Sequence, residues 1–326
     1  MKEQYARDLR DGMKVDTVFA LVSRDIRAAR TGDAYLSLEV GDSSGRIPAV
    51  MFRPSPADES VPAGSVVRLR GTVTTYRRVR RISVESLRPE TSFDRSDLLA
   101  SGNRERRELL GELRGMVRGV TEPHLRRLLR DVFGEEGFID RFAACPASRA
   151  GHHAYVGGLL EHTIGVADLC ATLARSYPQV DRDLLVTAAL LHDVGKVEEY
   201  SFETSFECTD AGRLIGHVVL GDRIVSRVLD AAVDPLSPEV ALRLSHAILS
   251  HHDGTESRSL GSSATIEALL LRHADRADAD AAAFMDAVSG AAVLEERWTD
   301  AGNGFERPLL VPGPATSPAA RIVRCA

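Results

Sequence analysis

The chain has 326 residues, enough for two domains, with 44% hydrophobic and 27% charged residues, an ordinary composition for a soluble protein. Its net charge of −6 excludes a protein that coats nucleic acid over its whole surface, while leaving room for a local basic patch. No apolar run reaches the ~18 residues of a membrane span, MKEQYARDLRDG is no signal peptide, and Cys145, Cys170, Cys208 and Cys325 have neither C-x-x-C nor disulfide-framework spacing. A cytoplasmic chain with reduced thiols and no membrane partner is expected.

Short alternating segments come first. VDTVFALVS (15–23), AYLSLEV (34–40), RIPAVMF (46–52), SVVRLRGTVTT (65–75) and RRISVESL (80–87) read as strands, with GDSSG (41–45) as a hairpin turn. Five strands in so short a stretch suit a small closed barrel of the oligonucleotide-binding (OB) type. After Pro89 the period becomes helical, at 96–117 and 122–133, then at 155–176, 182–195, 216–231, 237–251 and 264–288. The expected fold is multidomain α and β. A five-stranded OB-type barrel (1–90) leads to a helical linker or arm (91–145), exposed enough to pair subunits in a homo-oligomer. An all-α bundle (146–298) and a loosely ordered tail (299–326) follow.

Nine of the ten histidines lie between His152 and His273. The informative ones run with acids as His162, His192-Asp193, His217, His251-His252 and Asp275, on successive helices. Imidazoles and carboxylates are the side chains that hold borderline divalent metals. LLHDVGK (190–196) is the sharpest segment: an apolar helix delivers His192 and Asp193 at its end, Gly195 turns the chain, and Lys196 adds a cation. Adjacent helical residues point about 100° apart, so the pair grips metal only if an ion sits between their faces or the carboxylate bridges two ions. His246 and His273, as single inward histidines, read as hydrogen-bonded core residues.

The ordered set resembles the HD-domain metal-dependent phosphohydrolases, whose pattern H…HD…D is matched by His162, His192, Asp193 and Asp275. Within them the chain resembles the YhaM-type 3′-5′ exoribonucleases, which join an OB domain to an HD domain. HHAYVGGLLEHT (152–163), LLHDVGKVEEYS (190–201), FECTDAGRLIGHVVLG (206–221) and HAILSHH (246–252) carry the likeness, which covers about residues 14–298. It departs at Asp253-Gly254, at Gly261-Ser262-Ser263 and at His273-Ala274-Asp275-Arg276. The resemblance implies hydrolysis of phosphodiester bonds from the 3′ end of single-stranded RNA, and possible action on single-stranded DNA.

Seven candidate ligands exceed the needs of one four-coordinate ion, so two divalent ions are expected. His162, His192 and Asp275 would hold one, His217 and His251 the other, with Asp193 bridging and His252 completing the second ion or meeting phosphate. Such a pair can activate a hydroxide. The nitrogen and oxygen donors suit manganese, cobalt, iron or zinc, with manganese preferred. Asp193 and Lys196 are the catalytic candidates, Lys196 as the charge that neutralises a developing oxyanion.

Between Val66 and Arg107 eleven arginines face five acids, a local +6. Tyr76, Arg77, Arg78, Arg80 and Arg81 cluster at the turn between the last two strands, with Phe19, Tyr35, Phe52 and Tyr76 as rings that could stack on bases. Three functions compete: an exoribonuclease, an HD phosphohydrolase of a small nucleotide that uses the barrel for docking or regulation, and a binding protein with a dead HD domain. The complete ligand set and Lys196 disfavour the third.

Overall fold

The computed structural model describes residues 2–28, 34–76, 79–100, 102, 104–149, 152–202, 204–252, 262–293, 297–299 and 304–311. β1 (Lys14–Ala28), β2 (Ala34–Asp42), β3 (Gly45–Phe52), β4 (Val66–Tyr76) and β5 (Val79–Pro89) form a closed barrel in the order β1-β2-β3-β5-β4. This is the OB topology: long β1 pairs with β4 through its first half and β2 through its second, and β3 closes on β5 in parallel, Ala49 opposite Ile82. Alternate residues fill the interior, among them Val15, Phe19, Leu36, Leu38, Leu69 and Ile82. Phe19 is fully buried there, which removes it from the rings able to meet a base. The short α1 (Pro56–Ser60) links β3 to β4 behind a capping box on Ser55.

The helices expected to form a separate arm do not stand apart. α2 (Arg106–Gly119), α3 (Pro123–Gly134) and α4 (Phe138–Phe142) bury Leu109, Leu113, Leu125, Leu129, Val132 and Phe142 in the same core as the later helices. Their apolar stripes are covered by the bundle itself. Asp183 fastens this layer, accepting from the backbone N–H groups of Thr121 and Glu122 and from the Thr121 hydroxyl at 2.6–2.8 Å.

α5 (Gly158–Ser176) packs on α6 (Arg182–Leu191), whose residues Leu184 to Leu191 are all buried. A helix apolar all round belongs at the centre of a bundle, and α6 is there. α7 (Lys196–Glu199), a two-stranded hairpin of β6 (Tyr200–Ser201) and β7 (Glu207–Cys208), α8 (Asp210–Leu214), α9 (His217–Asp230), α10 (Pro238–Leu249) and α11 (Ile266–Val293) complete it. Part of the expected loose tail is packed: Leu309 and Val311 bury against Val288, and Leu310 bridges to Trp298. No helix among the described residues is long and apolar enough to cross a membrane.

Barrel and bundle touch through loops. Thr204 donates to the Gly64 carbonyl at 2.7 Å, Ser43 N–H to that of Asp97 at 3.0 Å, and Val156 N–H to that of Ala100 at 2.7 Å.

Candidate metal centre

Each of the seven candidate ligands sits on a helix or at a helix end, and the bundle brings all of them together. α6 stops at Leu191, so His192 and Asp193 lie on the turn that follows it, both buried. His162 comes from the second turn of α5, His217 from the first position of α9, and Asp275 from α11. His251 and His252 follow the end of α10.

Asp193 is the hub. Its Oδ2 lies 3.4 Å from His192 Nε2, 3.6 Å from His162 Nε2 and 2.6 Å from Lys196 Nζ. Its Oδ1 lies 3.3 Å from His217 Nε2 and 3.7 Å from His251 Nε2. Asp275 Oδ1 adds contacts to His162 Nε2 at 3.1 Å and His192 Nε2 at 3.8 Å, while His252 Nε2 lies 2.9 Å from His217 Nε2. Two donor groups thus flank one carboxylate, His162 and His192 on one side, His217, His251 and His252 on the other, with donor atoms in each group within 4.8 Å of one another.

The polar bookkeeping of the pocket fits a cation. Neither carboxylate oxygen of Asp193 accepts a well-directed hydrogen bond, and buried His251 Nε2 has no partner either. Buried polar atoms without partners are costly unless something else satisfies them, and imidazole with carboxylate is the donor set of a borderline divalent metal. The far sides of the rings are fixed instead. His192 Nδ1 donates to the Ala189 carbonyl at 2.7 Å and His251 Nδ1 to that of Ile248 at 2.6 Å, which leaves each Nε2 lone pair aimed inward.

Electrostatics agree. Burial works against ionising Asp193, but Lys196 and His192 outweigh it and hold the carboxylate well below its usual range. Burial likewise opposes the Lys196 charge and is overcome by Asp193, which raises the lysine. Burial disfavours the His162 cation, yet hydrogen bonds to Asp275 and Asp278 push it up to about 9. His251 is pushed down by burial and by His252, which outweigh the opposing pull of Asp193 and Asp275. The His162 side of the pocket favours positive charge.

Five polar side chains and one glycine were not read from the sequence. Asp278 Oδ2 lies 2.7 Å from His162 Nδ1 and 3.0 Å from His153 Nε2, and Glu199 Oε2 lies 2.7 Å from His217 Nδ1. The outer chain continues from His153 Nδ1 to the Tyr155 hydroxyl at 2.8 Å, which donates to Glu161 at 2.8 Å. Gly165 makes room for Asp278: a β-carbon there would meet its Oδ1 at 2.2 Å. Gly195 lets the turn after Asp193 press on α9, where a β-carbon would lie 2.0 Å from the His217 carbonyl oxygen. A glycine inside a helix one turn after a candidate ligand, and an aspartate one turn after Asp275, were the available signals.

His246 is hydrogen-bonded as expected, its Nε2 accepting from Ala264 N–H at 2.9 Å, but it is half-buried rather than in the core, and His273 is exposed on α11. The departures at Asp253-Gly254 and Gly261 fall outside the described residues, as do Arg77 and Arg78. Arg80 is exposed and donates to the Leu9 carbonyl at 2.6 Å, and the Arg81 guanidinium lies over the Tyr76 ring at 4.4 Å. Tyr35 and exposed Phe52 form a second pair, with ring centroids 5.9 Å apart. Phe52 lies three residues beyond Ala49 and Val79, the partner of Tyr76, three before Ile82, which separates the two pairs by roughly 20 Å along the strands.

The HD domain family profile matches residues 159–280. The 3′-5′ exoribonuclease YhaM of Bacillus velezensis is 31% identical over 275 residues, 82% of this chain and 85% of that protein. The proteins of the same name from Geobacillus sp. and Listeria monocytogenes are each 30% identical, over 82% and 85% of this chain and 83% and 88% of their own lengths. With this identity over nearly the whole of both chains, the protein belongs to the YhaM family of the HD-domain proteins.

Proposed function

We propose that this chain is a metal-dependent 3′-5′ exoribonuclease that hydrolyses phosphodiester bonds of single-stranded RNA. The observation that carries the reading is Asp193, a buried carboxylate with histidines on both sides and no well-directed hydrogen bond to either oxygen. The names of its relatives, and a barrel of the OB type joined to the bundle, direct that chemistry to a nucleic acid strand rather than a free nucleotide.

In this reading two divalent ions, manganese first among them, would be held by His162, His192 and Asp275 on one side and His217, His251 and His252 on the other, with Asp193 available to both. Ions so placed supply Lewis-acid polarisation of the phosphoryl oxygen and a water that ionises near neutral pH. The protein does the rest. Asp278, Glu199 and two backbone carbonyls orient the rings, and burial excludes competing water. Lys196, anchored on Asp193 at 2.6 Å, places a cation where negative charge grows on the phosphate. Cys145, Cys170 and Cys208 are free thiols, in keeping with a reducing cytoplasm.

The test is digestion of a 5′-labelled single-stranded RNA with Mn²⁺. A ladder shortening from the 3′ end supports the reading. Intact RNA together with hydrolysed mononucleotides would assign the chain to small-nucleotide chemistry instead.

A further inference from the structure

A cleft of about 260 Å³ separates the β2–β3 turn of the barrel from the loop that leads into α5, with Arg7, Arg46 and Arg149 among its lining residues. All three arginines are exposed. Among the described residues Arg7 and Arg149 make no side-chain ion pair, and Arg46 makes only a 3.5 Å contact with Glu39. The acid in the lining, Asp42, is buried and already neutralised by Lys2 at 2.8 Å. The free charge of the cleft is therefore positive, although the chain as a whole carries −6.

Contacts connect this cleft to both functional regions. Outward, Arg7 N–H donates to Ser44 Oγ at 3.0 Å, and Arg80 Nη1 to the Leu9 carbonyl at 2.6 Å. The N-terminal turn thereby ties the β2–β3 turn to the start of β5, where Arg81 lies over Tyr76. Inward, Ser148 donates to the His152 carbonyl at 2.7 Å, and the His152 ring lies 5.7 Å from that of His162. His152 is half-buried, and its ring nitrogens have no hydrogen-bond partner among the described residues.

We propose that this cleft is a binding site for the backbone of single-stranded nucleic acid and the route by which the strand reaches the metal centre. The phosphates pass Arg80 and Arg81, then Arg7 and Arg46, then Arg149, and the 3′ end arrives beside His152. The Tyr35–Phe52 pair lies at the other end of the β3–β5 edge and is off this path. A track built of guanidinium groups reads phosphate rather than bases, so it feeds any sequence. The direction of travel rests on the exonuclease reading; the site itself does not.

The experiment therefore separates binding from cutting. Binding of a fluorescein-labelled 12-mer RNA to the full chain is followed by anisotropy in EDTA, where no digestion occurs, across a salt series. The variant Arg7→Ala/Arg46→Ala/Arg149→Ala is compared with a charge-matched control, Arg114→Ala/Arg118→Ala/Arg127→Ala on α2 and α3, with thermal unfolding to establish that both are folded. Losing three phosphate contacts should weaken binding roughly tenfold or more and flatten the slope of log K against log salt by about 2, at ~0.7 per contact for a single strand. The control should keep the wild-type slope. In Mn²⁺, KM for a 5′-labelled 16-mer should rise in parallel. Equal affinity and slope in the cleft variant and wild type overturn the proposal, as does a wild type that does not bind RNA. A wild type that binds through these arginines but produces no 3′ ladder keeps the site and removes the exonuclease reading.

Discussion

The barrel and the bundle each bury a lysine against an aspartate, and the two pairs have opposite surroundings. In the barrel, Lys2 meets Asp42 at 2.8 Å, and Asp42 also accepts from Ala6 N–H, Ser44 N–H and the Ser44 hydroxyl at 2.6–2.9 Å. In the bundle, Lys196 meets Asp193 at 2.6 Å, yet the carboxylate has histidine rings around it and no well-directed hydrogen bond. The first aspartate is saturated and fastens a chain end; the second is left short of partners. Burial and pairing are common to both, so neither marks a reactive site. Unmet hydrogen-bonding capacity in the midst of imidazole donors does.

The sharpest way to break this contrast is Asp193→Asn. Turnover of labelled RNA should fall roughly 10³-fold, the scale of several kcal/mol of transition-state charge stabilisation. Mn²⁺ uptake by calorimetry should disappear, and the metal-free unfolding midpoint should fall as well because buried Lys196 loses its partner; turnover near wild type would sink the metal assignment. Asp42→Ala should lower stability alone. Removing one partner of a buried, saturated pair costs about 3 kcal/mol, read as a lower urea midpoint, with Mn²⁺ affinity unchanged. An unaltered midpoint would mean that Lys2 is not held by Asp42.

Smaller effects sharpen the picture. Asp278→Asn should lower Mn²⁺ affinity about 10- to 100-fold, since partners that orient a ligating histidine carry effects of that size. Saturating Mn²⁺ should restore most of kcat, and Asp278→Glu should recover part of the affinity. A normal titration curve for the Asn variant would leave Asp278 with packing alone. Asp183 is a second saturated carboxylate: burial raises its pKa, but the Thr121 hydroxyl and the Thr121 and Glu122 backbone outweigh burial and hold it low. The stability it contributes is thus complete above the unfolded carboxylate value of about 3.9 and is lost as pH falls through the depressed folded value. Asp183→Asn should cost about 1–2 kcal/mol at pH 7, and chemical denaturation should show the gap to wild type closing below pH ~4. A gap independent of pH would contradict the ionic contribution.

Much of this was legible in the sequence because local patterning and global fold agree. The five strands were visible through alternation, and GDSSG marked the β2–β3 turn. The seven candidate ligands stood out because imidazoles concentrated on successive apolar helices have few structural uses. What stayed hidden depended on distance in space. Asp278 sits in RADADAAAFMD, which reads as a solvated acidic face until α11 is laid against α5. Glu199 looks like one of two acids in VEEY. Phe19 alternates like any strand ring, and only barrel closure decides that it points inward. The stripes of α2 and α3 reveal an amphipathic helix without saying which core covers it.

Gly195 has a consequence for how the donors are spaced. Its α-carbon is pressed so close to the next layer that a β-carbon would lie 2.0 Å from the His217 carbonyl oxygen and 2.4 Å from Gly221 N. The gap between Asp193 and His217 is therefore gauged by main chain against main chain, not by the ligands themselves. A side chain at Gly195 would have to part the two layers, and with them the carboxylate from the imidazole, so the residue that sets the spacing of these donors has no donor group of its own.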